Sequence, residues 1–459
     1  MGPYPVKDQI VVRNALLRYE TQIRAALAAL PEPAEPGPRF EAPHALPPPS
    51  ERLARFFDAS DVAVTGLAGY AGRRLRLLDL MRNPRTRTTK TFPSRVIVAR
   101  AAEHIRRTGE RVMIVSPSSG NKATALRDAV LAAHEAGLAT ADQLAILVVV
   151  PADSRGKLWS SPLSTDPGAR RRNPVALYAG SRPDQVKALA AGLVDSLGPS
   201  LYERCGIRLW YTLALDNYRV ADTLRAYVEH DCLPEVAGRL HVHAVSSAFG
   251  LLGHDLGARR LAAAEHRTPT ARYFLVQHLD TPDMVLSLYF GSAARSSLPA
   301  YEFDPAAGLY RQDADPRFPG ATAAPDETLD PTFYTRQPPT SAEMNALIQA
   351  QGGGGIVVSG HECLQRYPLL RRMLEPAGCA LPADPADLRE WSLVMALTGV
   401  LNGIDRGLVD ADDILVHGSG SYQVADFDPI PESGLVTVRD AGDLTELAAS
   451  AAEIEAGRR

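Results

Sequence analysis

Short apolar runs and segments of helical periodicity alternate along most of the chain. The apolar runs predict buried strands at residues 111–115, 145–150, 175–179, 207–213, 240–245 and 413–416. Between them, the spacing of apolar and polar positions predicts helices over residues 95–107, 123–136, 183–197, 217–230 and 341–349. Repeated alternation of strand and helix favours a parallel α/β sheet that is covered by helices.

Four segments fall outside this alternation. Residues 8–30 have an amphipathic helical pattern, and residues 31–49 are proline-rich and predict an extended arm. Residues 292–339 are rich in proline, aspartate and alanine, and a connection of this length is usually functional or disordered. The glycines at 352–355 follow a predicted helix, so they are interpreted as its C-cap and a connector rather than as a phosphate loop.

The composition is that of an ordinary globular protein. Of 459 residues, 45% are hydrophobic and 22% are charged, which allows two or three domains. A formal net charge of -4 and the lack of a basic tract argue against nucleic acid as the main partner. No apolar run reaches the roughly 18 residues of a membrane span, and the N-terminus lacks a signal-peptide core, so a cytoplasmic protein is expected.

The metal-binding residue types give no ligand pattern. The four cysteines are widely scattered and form neither a disulfide framework nor a zinc motif. His361, Glu362 and Cys363 are adjacent, but no second cluster stands at ligand spacing from them. The sequence therefore predicts no metal site.

Two polar turns precede predicted helices. In the first, Asn83-Pro84-Arg85-Thr86-Arg87-Thr88-Thr89-Lys90 delivers a lysine close to the head of the 95–107 helix. In the second, Ser118-Ser119-Gly120-Asn121-Lys122 joins the 111–115 strand to the next helix. Helix N-termini present unpaired N–H groups and a positive dipole end, so both turns are candidate sites for carboxylate or phosphate groups. Taken singly, such a lysine is usually solvated and such a turn is usually only a turn.

In this order, the two turns resemble the active-site lysine segment and the substrate-carboxylate loop of fold-type II pyridoxal-phosphate enzymes. This group contains threonine synthase, cysteine synthase and serine dehydratase. Later in the chain, Ser246-Ser247-Ala248-Phe249-Gly250 resembles the turn that holds the cofactor phosphate. His417-Gly418-Ser419-Gly420 resembles the closing segment whose hydroxyl bonds the pyridine nitrogen, and residues 280–291 are similar to a helix-opening segment of threonine synthase.

The resemblance implies a set of site residues. Lys90 would bind pyridoxal 5'-phosphate and then act as the general base. The substrate carboxylate would be held by Ser118, Ser119, Gly120, Asn121 and Lys122, with Asn121 also near the cofactor. The cofactor phosphate would be held by Ser246, Ser247, Ala248, Phe249 and Gly250. The pyridine nitrogen would face His417, which takes the place of the family's hydroxyl, with Ser419 two positions further on.

The resemblance also implies an α/β fold of two open parallel-sheet domains with the cofactor in the cleft between them. Residues 1–50 would form an N-terminal helix and arm, and 93–215 the small domain. Residues 51–92 and 216–459 would form the large domain, in which 292–340 is an insertion that serves as a lid or recognises the substrate. The family leads us to expect a homodimer that acts on a small amino acid, with neither nucleic acid nor membrane as a partner.

The implied activity is that of a lyase or transferase which eliminates or replaces a group at the β or γ carbon. The likeness to threonine synthase favours a phosphorylated or otherwise activated homoserine or serine in specialised amino-acid biosynthesis, with Lys122, Arg85 and Arg87 binding a second anion. Departures from the family at 91–93, Lys122 and His417 leave alternatives open. One is β-replacement or β-elimination of the cysteine synthase or serine dehydratase type, and another is a catalytically degenerate relative that binds the cofactor or an amino acid. An unrelated α/β protein is the third alternative.

Overall fold

Two parallel-strand sheets and their flanking helices organise the computed structural model, which describes residues 9–32, 39–180, 182, 184–266, 270–330, 333 and 335–456. The strands are β1 (Ile10–Val12), β2 (Val62–Gly66), β3 (Arg74–Asp79), β4 (Arg111–Pro117), β5 (Leu144–Pro151), β6 (Val175–Tyr178), β7 (Ile207–Tyr211), β8 (Leu240–Ala244), β9 (Arg272–His278), β10 (Glu302–Asp304), β11 (Leu309–Arg311), β12 (Ala321–Thr322), β13 (Gly353–Val358), β14 (Asp413–Gly418) and β15 (Val436–Val438). The helices are α1 (Ala15–Arg18), α2 (Glu20–Ala28), α3 (Glu51–Phe57), α4 (Thr91–Thr108), α5 (Asn121–Glu135), α6 (Pro162–Thr165), α7 (Pro167–Arg172), α8 (Gln185–Cys205), α9 (Leu215–Asp222), α10 (Leu224–Cys232), α11 (Phe249–Ala264), α12 (Asp283–Phe290), α13 (Ser341–Gln351), α14 (Gly360–Leu374), α15 (Ser392–Asp405) and α16 (Ala441–Ala456). None of these helices is long and apolar enough to cross a membrane.

The smaller sheet has the strand order β15-β6-β5-β4-β7, and every neighbouring pair is parallel. Its strands are apolar on both faces because helices cover both. Along β4, Val112 and Ile114 pack in the core formed with α4 and α5, whereas Met113 and Val115 pack in the core formed with α8 and α16. Adjacent residues of a strand point to opposite faces, and both faces of this sheet are covered. Every core position of β4 and β5 is therefore apolar, and the two strands appear in the sequence as unbroken apolar runs.

The larger sheet has the order β1-β2-β3-β14-β8-β9-β13. The pairs from β3 to β13 are parallel, and β1 and β2 extend the edge as antiparallel strands. One face packs on α14 and α15, and the other face includes a core formed with α11, α12 and α13. The carboxyl ends of β8 and β14 therefore lie side by side, and each continues into a polar turn of the site described below.

The glycine run at 352–355 differs from its predicted role. Gly352 does end α13, but Gly353, Gly354 and Gly355 lie inside strand β13, paired with β9. A Cβ on Gly353 would lie 1.9 Å from the carbonyl oxygen of Tyr273, and Gly353 has φ of +121°. These glycines let β13 pair closely with β9, and a strand of this kind has no hydrophobic signature in its first half.

The C-terminal residues also differ from the predicted domain division, which gave 216–459 to the large domain. Strand β15 pairs with β6 of the smaller sheet, and Leu444 and Ala448 of α16 are buried against α8. The chain thus returns to the smaller sheet after β14. The remaining boundaries stay predictions, although β4 to β7 do form the smaller sheet and β8 to β14 belong to the larger sheet or to its insertion.

Three other predicted segments are modified. The predicted 8–30 helix is a short strand, β1, followed by α1 and α2. The 292–340 insertion contains a three-stranded antiparallel sheet of β10, β11 and β12. The predicted 217–230 helix is interrupted at Thr223. The Thr223 hydroxyl donates to the Val220 carbonyl at 2.6 Å, and such a side-chain bond competes with the backbone hydrogen bonds of a helix.

Candidate active site

One cavity of about 340 Å³ lies at the carboxyl ends of β4, β8 and β14. The turns that follow β4 and β8 line it from the two sheets, and Ser419 lines it after β14. In open α/β sheets, ligands bind at the carboxyl ends of the strands. The cavity brings together Lys90, most of the 118–122 turn and the whole 246–250 turn, which are widely separated in the sequence.

Lys90 lies at the start of α4 and lines this cavity. The segment before it is fastened to the large sheet, because the Thr89 amide donates to the Ser419 carbonyl at 2.9 Å. Burial, followed by the charge of nearby Arg225, lowers the pKa of Lys90, while Asp222 and Glu390 act in the opposite direction. A lysine with a lowered pKa has a larger neutral fraction near neutral pH, which is the form that attacks a carbonyl carbon.

The turn at 118–122 starts helix α5. Gly120 has φ of +122°, a conformation that side chains rarely adopt, and its amide and that of Ala123 both donate to the Ser118 hydroxyl at 3.0 and 2.8 Å. The Ser118 side chain thus stabilises the turn through these two hydrogen bonds. Ser119, Asn121 and Lys122 line the cavity together with Ser118, whereas Gly120 lies behind them against Lys157.

The Asn121 side chain is held on both sides. Its Nδ2 donates to Glu390 at 2.6 Å, and its Oδ1 accepts from the Tyr422 hydroxyl at 2.7 Å. Glu390 also forms an ion pair with Lys157 at 2.9 Å, and Asp330 pairs with the same lysine at 2.5 Å. Burial opposes the charge of Lys157, but these two carboxylates outweigh it and raise the pKa of Lys157. Lys157 is therefore a structural cation, unlike Lys90.

The turn after β8 has the features of an anion site. Ala248 has a left-handed φ of +52°, and among the described residues no partner accepts from the amides of Ser246, Ser247 and Ala248. Helix α11 begins directly afterwards at Phe249, so its first amides also lack helical acceptors. These N–H groups and the dipole of a long helix favour a phosphate or a carboxylate at this place.

Arg225 reaches the same region from α10 and was missed by sequence reasoning. Its Nη2 donates to the Thr89 hydroxyl and its Nε to Asp222, both at 2.7 Å. A Cβ on Gly250 would lie 2.5 Å from its Nη2, so a larger residue at that position of the phosphate-loop candidate would displace the guanidinium. The available signal was an arginine among apolar residues of a predicted helix, but nothing local links it to the cavity.

Lys122 is the most unusual group in the cavity. The residue is 8% exposed, and its Nζ has no hydrogen-bond partner among the described residues. Burial, together with the charges of Lys187 and Lys90, lowers the pKa of Lys122 well below the ordinary value. Lys187, from α8, also lines the cavity and donates to the Thr335 hydroxyl at 3.3 Å. A pair of lysines therefore faces one side of the cavity.

The closing segment differs from its predicted arrangement. His417 does not line the cavity, because its ring stacks on His243 and lies behind the wall. Ser419 does line the cavity, and its buried Oγ has no partner in the described part of the chain. Of the two residues predicted at the pyridine nitrogen, Ser419 is the one whose side chain is available.

Other predicted and unpredicted positions complete the site. Arg85 and Arg87, predicted to help bind a second anion, lie outside the cavity in ion pairs with Asp128 and Asp426. The 292–340 insertion contributes Phe333, Thr335 and Pro339 to the lining, which sequence reasoning expected only in general terms. Among the other lining residues, His243 and Ser392 carried no local motif.

Comparisons with known proteins agree with this architecture. No curated protein matches the sequence. A crystal structure of threonine synthase from Brucella melitensis, with pyridoxal phosphate bound, matches with a TM-score of 0.53 and 12% identity, over 94% of this chain and 89% of that chain. An L-serine ammonia-lyase from the fungus Rhizomucor miehei is similar with a TM-score of 0.46 and 14% identity, over 77% of this chain and 90% of that chain.

The predicted fold class is thereby confirmed at the level of architecture, since threonine synthase is a fold-type II enzyme. The sequence also matches a family model, described as "Family of unknown function (DUF6002)", over residues 11–452. The chain therefore has the α/β fold of the fold-type II pyridoxal-phosphate enzymes and belongs to the family of unknown function DUF6002.

Proposed function

We propose that this protein is a pyridoxal-phosphate-dependent enzyme that eliminates or replaces a group at the β or γ carbon of an amino acid. One observation carries the proposal. The Lys90 side chain shares a single cavity with two helix-starting turns, at 118–122 and 246–250, and the amides of residues 246–248 have no acceptor among the described residues. A lysine with a lowered pKa and two separate anion sites match an aldehyde that carries a phosphate and a substrate that carries a carboxylate.

The residues present fit this cofactor. The phosphate would be held by the amides of 246–250 at the start of α11, where Gly250 leaves room for Arg225. The Ser419 hydroxyl would donate a hydrogen bond to the pyridine nitrogen, and this assignment explains a buried Oγ that has no partner among the residues the structure describes. A neutral hydroxyl at that nitrogen leaves the ring uncharged, which favours elimination and replacement over reactions that need a strong electron sink.

Pyridoxal phosphate, when bound, would withdraw electrons from the amino acid and so acidify its Cα–H bond. Lys90 would accept that proton and return it to the product, because its lowered pKa keeps part of the amine neutral near pH 7. The Ser119 side chain and the first amides of α5 would hold the substrate carboxylate. The Asn121 amide, fixed by Glu390 and Tyr422, would keep that turn in place.

We further propose that the substrate carries a second anion, as in a threonine-synthase-like reaction on phosphorylated homoserine or serine. The support is the buried Nζ of Lys122, which has no hydrogen-bond partner among the described residues, with Lys187 lining the same cavity. A leaving group with negative charge would satisfy both cations. Without it, Lys122 is a buried donor that lacks any acceptor in the described structure.

The first experiment tests the cofactor. The purified chain, incubated with pyridoxal phosphate and desalted, is expected to show the visible absorbance band of the lysine-bound cofactor, and borohydride should remove that band. Lys90→Ala is expected to lose the band, whereas Lys187→Ala, a matched change in the same cavity, should keep it. A wild-type chain without the band, or a Lys90→Ala variant that keeps a borohydride-sensitive band, would refute the cofactor site.

The second experiment tests the reaction. O-phosphohomoserine, O-phosphoserine and O-acetylserine are compared with unsubstituted homoserine and serine, by spectral change and by release of phosphate or acetate. Turnover of a phosphorylated substrate supports the threonine-synthase-like proposal, and turnover of O-acetylserine alone supports the cysteine synthase type. A spectral change without product would identify a binding protein, and it would refute the enzymatic part of the proposal.

A further inference from the structure

Three histidines from separate elements meet behind the wall of the cavity. His241 lies on β8, His254 on α11 and His417 on β14, and each of them is 1% exposed. One ring nitrogen from each lies within 4.8 Å of the other two. Imidazole nitrogens grouped in this way, away from solvent, are the ligand set that borderline transition metals prefer.

A carboxylate orients two of the rings. Glu229 Oε2 lies 2.8 Å from Nε2 of His254, and Oε1 lies 3.6 Å from Nε2 of His241. Metal-binding histidines commonly have their outer nitrogen held by a carboxylate in this manner. Nε2 of His254 is thereby occupied, and Nε2 of His241 faces the same carboxylate. This leaves Nδ1 of each ring as the candidate ligand atom, which would exchange its present contact with His417 or with the Tyr273 hydroxyl for the metal.

The inner nitrogens already lie at ligand spacing. Nδ1 of His241 is 3.1 Å from Nε2 of His417. Two nitrogen ligands of a tetrahedral zinc ion, each about 2.0–2.1 Å from the metal, lie roughly 3.3 Å apart. When a metal binds, the proton now shared by this pair would move to the outer nitrogen of its own ring, which faces Glu229 in His241 and lies 3.5 Å from Nη1 of Arg225 in His417. The Tyr273 hydroxyl, 2.9 Å from Nδ1 of His254, lies beside the open fourth position.

The cluster also has an entry path. A second cavity, of about 180 Å³, is lined by Glu229, His241 and His254 at one end and by the exposed Pro234 and Glu235 at the other. A hydrated ion can therefore reach the histidines without passing through the site of Lys90. Binding sites that lack such a path are implausible on kinetic grounds.

We propose that His241, His254 and His417 bind one divalent transition-metal ion, with zinc preferred, and that Glu229 orients two of these ligands. No sequence pattern indicates this site, because the three residues are 13 or more positions apart and follow no ligand spacing. The ion would tie β8 to β14, and these strands lead into the 246–250 turn and Ser419. The site is independent of the proposed cofactor and is tested without it.

The test uses the full-length, tag-free chain, stripped of metal with a chelator and titrated with Zn²⁺ and with Co²⁺. We expect one zinc ion per chain by mass spectrometry and a visible absorption spectrum of nitrogen-bound Co²⁺. His254→Gln should abolish both signals, and Glu229→Gln should weaken binding about 10- to 100-fold, the effect usual for an orienting residue. His361→Gln, the same change on α14 outside the cluster, should bind as the wild type does.

Two results would overturn the proposal. One is a wild-type chain that takes up no Co²⁺ with a visible spectrum under these conditions, which decides the question even if a variant fails to fold. The other is a His254→Gln variant with the wild-type circular dichroism spectrum that still binds one zinc ion with unchanged affinity. Either result would leave the histidines as a hydrogen-bonded network only.

Discussion

Replacing Lys122 with methionine would remove a buried cation while keeping an unbranched side chain of similar length. Lys122 is 8% exposed, and its Nζ has no hydrogen-bond partner in the described residues. A buried donor without an acceptor costs about 1–3 kcal/mol, and more when it is charged. The methylene groups of both side chains make similar contacts. We therefore expect Lys122→Met to raise the free energy of unfolding of the ligand-free protein by about 1–3 kcal/mol at pH 7.

The size of this gain should depend on pH with a definite sign. Burial lowers the pKa of Lys122 well below 10.5 in the folded protein, whereas the unfolded chain keeps the ordinary value. Between these two pKa values the unfolded chain binds more protons, so wild-type stability rises with pH through this window. Methionine does not titrate. The difference between the variant and the wild type should therefore be larger at pH 7 than at pH 10.

The assay is urea unfolding followed by circular dichroism, with Lys187→Met as the matched control. Lys187 is half-buried and donates to Thr335, so its replacement breaks a hydrogen bond and should give no gain. The reasoning is refuted if Lys122→Met unfolds at the same or a lower urea concentration than the wild type. It is also refuted if both variants gain equally, since the effect would then come from general charge reduction.

Three other perturbations test the packing around the site. Arg225→Leu should destabilise the protein by about 3–5 kcal/mol by leaving Asp222 buried and unpaired, and the double variant with Asp222→Leu should recover most of that loss in urea unfolding. Gly353→Ala should lower the melting temperature far more than Gly378→Ala, because both glycines have positive φ but only Gly353 has backbone atoms where the Cβ would stand. The rate at which pyridoxal phosphate loads onto Lys90, followed by absorbance, should rise with pH and level off below pH 10.5, the ordinary lysine pKa; a plateau only above that value would contradict the lowered pKa.

The parts of the fold that the sequence predicts well are those with a strong local signal. Strands β4, β5 and β8 were predicted to within two residues at each end, because each is a short apolar run that ends at a polar or proline-containing turn. Strand β13 was not predicted, since three of its residues are glycines and its position depends on contact with β9. Strand β15 was not predicted either, because its partner β6 lies more than 250 positions earlier.

The residues of the site also divide into those with a local sequence signal and those without one. The turns that contain Lys90 and Ser118 were recognisable because consecutive residues there shape one helix start. Arg225 and Lys187 come from other helices, and only tertiary packing brings them to the cavity. The motif that contains His417 was recognised, and the His417 side chain was predicted to face the cavity. In the structure this side chain lies behind the cavity wall. Such an error is inherent in motif matching, since a motif gives the order of the residues and not the direction in which each side chain points.

The late return of the chain to the smaller sheet has a consequence for biosynthesis. Strand β6 is complete once residue 178 has left the ribosome, but β15, which covers its edge, follows only after 438 residues have been made. Until then β6 presents unpaired amide and carbonyl groups, the kind of strand edge on which aggregation begins. Nascent chains should therefore depend on chaperones until β15 has been made, and truncation directly before β15 should yield insoluble protein although every lining residue of the cavity is present.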